Sequence, residues 1–374
     1  MPKRTRKHIY SEEPTWREKK IINESKRKLD WFENSKDKVF VGAHFSTKSC
    51  GLQKVIRKAY LSRSQAVAFV IGSRQHTLSE IPDTQVKKFR KACEYYRYPS
   101  HLLCAHASIT MNLAASDKWL RNISLQKLLF SAEQCDRLNV GNLVIHCGSM
   151  KDKKTGVVID ENVAIERVVE YIDLVLEKTN SVNILLENTC NEGNRIGGNF
   201  EILGRIIKQV KNKERIGICL DTCHAFVAGY DLRRKAEYER MINDIDLEIG
   251  LPFLKTIHLN DSESEVNSKK DRHRPLGEGL MGDLAFHRIL TDNRLKNIPM
   301  IMETSPKKTT VDETKFFSKE MQKIPYFKEL LNPPEPEKQR KKYKQRAKKL
   351  KVIGPTLQSL PPKKTSKYER RCIF

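Results

Sequence analysis

One short stretch shows the pattern on which the fold rests: Ile216-Gly217-Ile218-Cys219-Leu220-Asp221-Thr222-Cys223-His224. It begins with an apolar run of strand length and ends in a carboxylate and an imidazole, two side chains that bind metals. A short apolar run without alternation is typical of a parallel strand that is buried on both faces. A polar end to such a run is typical of the functional edge of a parallel sheet.

Apolar runs of strand length occur eight times along the chain. The apolar runs are Val39–Ala43, Ala66–Ile71, Leu102–Ala105, Leu143–Ile145, Asn183–Leu186, Ile216–Leu220, Phe253–Ile257 and Ile298–Met302. Amphipathic stretches that predict helices separate them, among them Ser124–Leu138, Glu161–Thr179 and Asn199–Lys211. Eight buried strands that alternate with helices predict an α/β fold, a single (β/α)₈ TIM barrel.

Two basic tails flank the predicted barrel. We place an N-terminal extension at residues 1–38, the barrel at 39–332 and a C-terminal tail at 333–374. The extension contains one amphipathic stretch, Trp16–Trp31, which suits a helix, and the prolines from Pro333 to Pro336 end the domain. The tail carries 14 basic and 3 acidic residues, a net charge of 14 − 3 = +11 out of +24 for the whole chain.

This charge distribution points to a polyanionic partner. Blocks of like charge such as Lys338–Lys351 are often solvated tails, but they also serve as nuclear-import signals and nonspecific DNA clamps. We favour the second interpretation, with the import machinery as a partner. No apolar run is long enough to span a bilayer, so we expect no membrane partner. The nine scattered cysteines favour reduced, packed thiols inside the cell.

Seven of the eight apolar runs are followed directly by a side chain that can bind a metal. These side chains are His44, His106, His146, Glu187, Asp221, His258 and Glu303, whereas Arg74 follows the second run. A lone histidine after a strand is usually an ordinary loop residue. With seven such groups at one barrel mouth, the carboxylates would repel one another and the buried polar atoms would lack partners unless metals joined them. Mixed imidazole and carboxylate ligands suit zinc first, and then manganese or iron.

Two further segments add ligands to this mouth. His224 comes three residues after Asp221, and Asp271-Arg272-His273 follows the seventh strand. A metal that keeps a position open for substrate uses about three or four protein ligands. The set therefore exceeds what one ion can use, and we expect three metals with one shared carboxylate.

The chain resembles a known family, the endonuclease IV family of apurinic/apyrimidinic (AP) endonucleases, of the eukaryotic nuclear type. The resemblance covers about Val39 to Glu329. Its motifs are Gly42-Ala43-His44-x-Ser46, Leu186-Glu187-Asn188-Thr189, Ile196-Gly197-Gly198, Cys219-Leu220-Asp221-Thr222-Cys223-His224-Ala225-Phe226, Gly229-Tyr230-Asp231, His258-Leu259-Asn260-Asp261, Asp271-Arg272-His273, Gly277-Glu278-Gly279 and Met302-Glu303-Thr304.

The resemblance implies three zinc ions and assigns their ligands. The first zinc would be held by His106, His146 and Glu187, and the second by Glu187, Asp221, His258 and Glu303. The third would be held by His224, Asp271 and His273. In this assignment Glu187 bridges two ions, and Glu187 and Glu303 are the catalytic residues. His44 is not a family ligand, so we expect it to support the site from behind.

The resemblance also implies the reaction. The family hydrolyses the phosphodiester 5′ to an abasic sugar, which leaves a 3′-hydroxyl and a 5′-deoxyribose phosphate, and it removes blocks from 3′ ends. We therefore expect a base-excision-repair enzyme whose partner is double-stranded DNA with abasic sites or blocked 3′ ends. We expect a monomer in the nucleus, with an additional mitochondrial pool left open.

The departures from the family pattern fall on the loops that would face DNA. A lysine and an asparagine are missing before Arg74 and Gln75, and Ile109 replaces an aromatic residue. We assign Arg74, Gln75, Ile109 and Asn112 to DNA contact. An aliphatic side chain can still open a base step, although stacking is lost. Cys147 replaces a usual proline, and we interpret it as a packed thiol rather than an extra ligand.

Two other functions fit parts of the pattern. Sugar isomerases and epimerases of the xylose-isomerase-like barrels also place carboxylates and histidines at strand ends. They lack counterparts of His224, Asp271 and His273. A noncatalytic DNA-binding relative that keeps zinc for stability is the second alternative. Since a shared fold is weak support for a shared function, we favour the nuclease.

Overall fold

Eight parallel strands close into a barrel in the computed structural model, which describes residues 38–47, 51–71, 78–152, 155–304, 306, 312–330 and 345. The strands are β1 (Phe40–His44), β2 (Val67–Val70), β3 (Leu103–His106), β4 (Asn142–Ile145), β5 (Asn183–Glu187), β6 (Ile216–Asp221), β7 (Leu254–His258) and β8 (Pro299–Met302). Each strand pairs with its neighbours in chain order, and β1 pairs with both β2 and β8.

The register of β1 shows how the barrel closes. Ala43 lies opposite Val67 of β2 on one side and opposite Met302 of β8 on the other. All of these pairs are parallel, so every strand has its carboxyl end at the same mouth. The predicted TIM barrel is confirmed.

Helices connect the strands. They are α1 (Leu52–Leu61), α2 (Asp83–Tyr96), α3 (Lys118–Leu138), α4 (Glu161–Lys178), α5 (Phe200–Gln209), α6 (Thr222–Ala228), α7 (Lys235–Glu248), α8 (Asp283–Thr291), α9 (Glu313–Met321) and α10 (Ile324–Lys328). Short 3₁₀ turns lie at Ser100–Leu102, Leu251–Phe253 and Asn293–Leu295. Two-residue strands, Asp261–Ser262 and His273–Arg274, form an antiparallel hairpin in the connection between β7 and β8.

Polar side chains fix where several helices begin. Asp117 caps α3 by accepting from the backbone N of Leu120, and Asn199 caps α5 through Ile202. Asp221 caps α6 by accepting from the backbone N of His224. Each cap satisfies a backbone donor that the first helical turn leaves free. In α6 the cap also ties two predicted metal ligands to one local structure.

The core lies inside the barrel and between the barrel and its helices. Every residue of β6 is buried, and Val144, Leu185 and Cys219 of adjacent strands form one cluster in the core. The seven cysteines in the described residues are all free and buried, which agrees with the expectation of packed thiols. None of the helices in the described ranges has the length and apolar content needed to cross a bilayer.

The predicted element boundaries are close to the observed ones but not identical. Five strands extend one residue further than predicted, so that each includes its polar end residue: His44, His106, Glu187, Asp221 or His258. Helix α3 begins at Lys118, after the Asp117 cap, rather than at Ser124. The sequence pattern did not predict the first turns because they are largely exposed and carry little apolar periodicity.

The two tails lie mostly outside what the structure describes. The chain divides into two units, Met1–Lys38 and Val39–Phe374, and the barrel lies in the second. The Trp16–Trp31 stretch lies outside the described residues, as does nearly all of the C-terminal tail. The helix predicted in the first unit therefore stays a prediction.

Candidate metal centre

Six predicted ligands converge at the mouth because their strands end there. His106, Glu187, Asp221 and His258 are the last residues of β3, β5, β6 and β7. His146 and Glu303 directly follow β4 and β8. Parallel strands in a closed barrel bring these side chains to one small volume.

Glu187 lies at the centre of this volume. Its Oε2 is 3.1 Å from Nε2 of His106 and 3.4 Å from Nε2 of His146. Its Oε1 is 2.9 Å from Nδ1 of His258. The carboxylate therefore faces one pair of imidazoles with one oxygen and another imidazole with the other. This is the placement that a bridging carboxylate needs.

Two groups of ligand atoms share Glu187. His106, His146 and Glu187 form one, and Glu187, Asp221, His258 and Glu303 form the other, with all ligand atoms of a group within 4.8 Å of one another. In the second group Nδ1 of His258 lies 3.3 Å from Oε2 of Glu303. The side chain of Glu303 is 16% exposed, against 1% for that of His258, so it is the more accessible of the two.

A third group lies beside the other two. Asp271 faces both imidazoles of this group: Oδ2 lies 3.2 Å from Nε2 of His224, and Oδ1 lies 3.0 Å from Nε2 of His273. His224 is placed by the first turn of α6, and His273 by the hairpin. Asp221, Cys223 and His273 form a further overlapping group.

Backbone carbonyls orient two of the imidazoles. Nδ1 of His106 lies 2.7 Å from the carbonyl of Ala107, and Nδ1 of His224 lies 2.8 Å from the carbonyl of Asn188. If each Nδ1 donates its proton to that carbonyl, Nε2 is the free lone pair. In both residues Nε2 faces the ligand group. This is the arrangement found for metal-binding histidines.

The electrostatics of the first two groups follow from burial and close charges. Burial disfavours the charged form of Glu187, but His258, His146 and His106 outweigh it and hold the carboxyl pKa well below its ordinary value. Burial lowers the pKa of His146 to about 4, with His106 and His224 acting in the same direction against Glu187. The imidazole of His146 is therefore neutral at pH 7, the form that binds a metal.

In the third group the carboxylates outweigh burial. Burial lowers the pKa of His273, but Asp221 and Asp271 raise it to about 9. Burial raises the pKa of Asp271, but His224 and His273 hold it far below its ordinary value. Asp271 is therefore ionised at pH 7, the form in which a carboxylate binds a metal.

The donor set fits bound divalent metals. Nδ1 of His146 and Nε2 of His273 are buried without a hydrogen-bond partner among the described residues, although Nε2 of His273 lies close to Asp271. Such atoms are costly unless something binds them. Carboxylate oxygens also lie 3.2 to 3.6 Å from several imidazole nitrogens. The residues thus form groups that could each hold a metal ion.

All nine predicted ligands are brought together in the three predicted groups. His44 ends β1 and belongs to none of the ligand groups found in the described residues. Burial, with His106 and His258 as further causes, lowers the pKa of His44 to about 3. A neutral imidazole beside the ligands agrees with the supporting role expected for it.

Two asparagines hold residues of the ligand groups by hydrogen bonds, and neither was predicted from the sequence to have a role. Asn260 donates to Oδ2 of Asp221 at 2.7 Å and to Oε2 of Glu303 at 3.2 Å. Asn188 accepts from the backbone N of Asp221 at 2.6 Å and donates to its carbonyl at 3.2 Å. Both lie one or two residues after a predicted ligand at a strand end. This position is the feature of the sequence by which they could have been identified.

The structure shows different things for the four residues predicted to contact DNA. Ile109 lies in the loop after β3 and is 45% exposed, so it can reach a partner. The carboxamide of Asn112 is occupied by the backbone of Ser149, and a DNA contact through it stays a prediction. Arg74 and Gln75 lie outside the described residues.

Cys147 is packed, as expected. It is buried and absent from the ligand groups of the described residues. Burial raises the pKa of its thiol to about 12. A neutral, enclosed thiol of this kind agrees with a packing role rather than with an extra metal ligand.

Comparison with known proteins places the fold. Residues 64–320 match the xylose isomerase-like TIM barrel family. Endonuclease IV from Thermus thermophilus is similar with a TM-score of 0.65 and 26% identity, over 77% of this chain and 98% of that chain.

Epimerases share the fold at lower identity. A D-tagatose 3-epimerase-like protein has a TM-score of 0.57 and 17% identity, over 77% of this chain and 99% of its own. D-psicose 3-epimerase with D-tagatose from Clostridium cellulolyticum has a TM-score of 0.54 and 15% identity, over 77% of this chain and 98% of its own. At these identities the similarity concerns the fold alone.

Proposed function

Since the chain belongs to the xylose isomerase-like TIM barrel family, we propose that it is a zinc-dependent AP endonuclease of the endonuclease IV type, in its eukaryotic nuclear form. It hydrolyses the phosphodiester 5′ to an abasic site to give a 3′-hydroxyl and a 5′-deoxyribose phosphate. The same site removes blocks from 3′ ends. The 26% identity to an endonuclease IV supports this assignment.

One observation carries the proposal: the group His224, Asp271 and His273 lies beside the two groups that share Glu187. A sugar isomerase needs one or two ions for its small sugar substrate. Three adjacent groups suit a phosphodiester, because charge develops on the attacking, leaving and nonbridging oxygens together.

The ligand types favour zinc, with one ion for each of the three groups. His106, His146 and Glu187 would hold the first ion, and Glu187, Asp221, His258 and Glu303 the second. His224, Asp271 and His273 would hold the third. When bound, zinc makes water more acidic and neutralises charge on the phosphodiester.

Contacts between side chains of the protein hold the site in a fixed arrangement. Glu187 lies between His106 and His258 and fixes their spacing. Glu303, whose side chain is partly exposed, would orient the attacking water. Asn260 keeps Glu303 and Asp221 at a fixed separation through its amide.

Ile109 is the residue that we propose for entry into the DNA. It is exposed on the loop after β3, the strand that ends in the ligand His106. An apolar side chain in such a position can open a base step and kink the duplex at the lesion. This places the damaged nucleotide at the mouth of the barrel.

The test is incision of a duplex that carries one tetrahydrofuran abasic analogue. The zinc-loaded protein should cut once, 5′ to the analogue, and leave a 3′-hydroxyl that a polymerase extends. An intact duplex after incubation with fully loaded protein would overturn the proposal and leave the noncatalytic DNA-binding alternative.

Metal analysis separates the nuclease from the epimerase alternative. Three zinc ions per chain support the nuclease, whereas one or two manganese or magnesium ions with conversion of a ketose would support the epimerase. The shared fold of the epimerases does not favour either outcome.

The proposed partners follow from the proposed reaction and from the charge of the C-terminal tail. Double-stranded DNA with abasic sites or blocked 3′ ends is the substrate, and the tail 333–374 is the segment that the import machinery would recognise. We propose a monomer that acts in the nucleus, with a mitochondrial pool as a further compartment to examine.

A further inference from the structure

The loops that follow β4 and β5 pair with each other at the mouth. The backbone N of Met150 donates to the carbonyl of Asn194 at 2.8 Å, and that of Ile196 donates to the carbonyl of Gly148 at 3.0 Å. Ser149 and Arg195 therefore lie opposite each other in an antiparallel bridge. In a pair of this kind the backbone groups of the two opposed residues point outward, and their side chains share one face.

Asn112 binds the outer edge of this bridge. Its Oδ1 accepts from the backbone N of Ser149 at 3.0 Å, and its Nδ2 donates to the carbonyl of Ser149 at 3.0 Å. The side chain thus makes the hydrogen bonds to Ser149 that the backbone of a third strand would make. Loops after β3, β4 and β5 are joined through one residue, Ser149.

Close packing at Gly148 keeps Asn112 in this position. Gly148 has φ +111°, and a Cβ there would lie 2.1 Å from Oδ1 of Asn112. A side chain would therefore be strained and would also displace the carboxamide. The three loops form a fixed platform around Arg195.

Arg195 is an exposed cation on this platform. Its bridge partner Ser149 lies three residues after His146, so the pairing of the two loops holds Arg195 on the side of the mouth where the first ligand group lies. Arg195 makes no ion pair with a carboxylate in the part of the chain that the structure describes. A cation in this position is available to a ligand.

We propose that Arg195 binds a backbone phosphate of the DNA strand next to the scissile phosphodiester, and that Asn112 is its positioning residue. This inference rests on the proposed function. A guanidinium binds phosphate oxygens in a bidentate manner, which an ammonium cannot do. The platform fixes the backbone of Arg195 beforehand, so less conformational entropy is lost on binding.

The first test compares Arg195→Gln with Lys208→Gln, which removes one charge from the last turn of α5, at the opposite end of the barrel. Arg195→Gln should raise KM for the tetrahydrofuran duplex roughly tenfold, as expected for one charge-assisted hydrogen bond, with kcat and zinc content unchanged. The slope of log K against log salt for an undamaged duplex should fall by about 1. Lys208→Gln should match the wild type in all four measurements.

The second test uses a double-mutant cycle with Asn112→Ala. The single variant should raise KM several-fold, and the double variant with Arg195→Gln should be no worse than Arg195→Gln alone. Additive effects would overturn the positioning role and make Asn112 an independent contact.

The outcomes separate this inference from the proposed function. If the wild type incises DNA and Arg195→Gln keeps its KM and salt slope, the inference alone is wrong. If the wild type does not incise DNA but Arg195→Gln lowers the salt slope, the proposed function fails, and the inference is reduced to a contact between Arg195 and a DNA phosphate that is not at a site of incision.

Discussion

Asn260 holds Asp221 through a 2.7 Å hydrogen bond from its side-chain amide to Oδ2. Its Oδ1 accepts from the backbone N of Glu303 at 2.9 Å, so one carboxamide joins the ends of β6 and β8. The two carboxylates it orients belong to the same ligand group. The order of that group therefore depends on a residue that belongs to none of the three predicted ligand sets.

Replacing Asn260 should weaken the metal site. We expect Asn260→Ala to lower zinc affinity or incision by roughly 10- to 100-fold, the usual cost of losing a partner that orients a ligand. Chelator competition measures the affinity. Asn199→Ala is the matched control, because Asn199 caps α5 and should affect stability without changing zinc affinity. Unchanged affinity in Asn260→Ala would remove its positioning role.

Replacing Glu187 should abolish incision. Glu187→Gln keeps the size of the side chain but removes the charge that two ligand groups share, so we expect a loss of about 10²- to 10³-fold or more in kcat. Single-turnover incision with a measured zinc content tests this. Glu177→Gln, an exposed change on α4, is the control. A near-normal rate in Glu187→Gln would show that the bridge is assigned to the wrong residue.

The third ligand group should bind one zinc by itself. Asp271→Asn keeps the shape but removes the charge that faces His224 and His273, so one zinc per chain should be lost while the other two remain. Elemental analysis after dialysis gives the count. Asp83→Asn, an exposed change on α2, should keep the full set. Loss of every ion in Asp271→Asn would mean that the groups do not fill independently.

The basic tail should affect binding more than chemistry. Deleting residues 333–374 removes a net +11, so incision in vitro should persist while the salt dependence of DNA binding becomes shallower. Nuclear accumulation of a fluorescent fusion should also fall. Unchanged localisation would show that the import signal lies elsewhere in the chain.

Asp136 should stabilise the fold in a pH-dependent way. It accepts from the backbone N of Asn180, Ser181 and Val182 at 2.6, 3.0 and 2.9 Å. Burial raises the pKa of this carboxyl, but these hydrogen bonds outweigh burial and lower it. Its contribution is therefore present above the ordinary aspartate pKa and is lost as the pH falls through the lower value in the folded protein.

Urea unfolding of Asp136→Asn measures this effect. At pH 7 the variant should lose about 1 kcal/mol of unfolding free energy, since solvent screens a carboxyl that is only partly buried, and the difference from the wild type should shrink in acid. Glu133→Gln, an exposed neighbour on α3, should change it by less than about 0.5 kcal/mol. A difference for Asp136→Asn that stays constant from about pH 7 to about pH 3 would contradict the assigned cause.

The sequence was sufficient to predict the barrel and the convergence of the polar side chains at the strand ends, because burial and strand direction follow from local patterns. Assigning Asp271 and His273 to a third metal required the family resemblance, since two-residue strands leave no periodicity. The roles proposed for Asn112 and Arg195 depend on pairing between loops that are distant in sequence. Side-chain contacts of this kind leave no spacing signal, and only the folded chain reveals them.

The pairing of β1 with β8 has a consequence for synthesis of the protein on the ribosome. Residues 40–44 emerge early, but their partner at 299–302 emerges only after nearly the whole barrel has been made. Until then the nascent sheet has an open edge that can pair with other chains. Glu303 follows the closing strand, so the four-ligand group is completed last. Full loading of the proposed metal centre would therefore follow closure of the barrel.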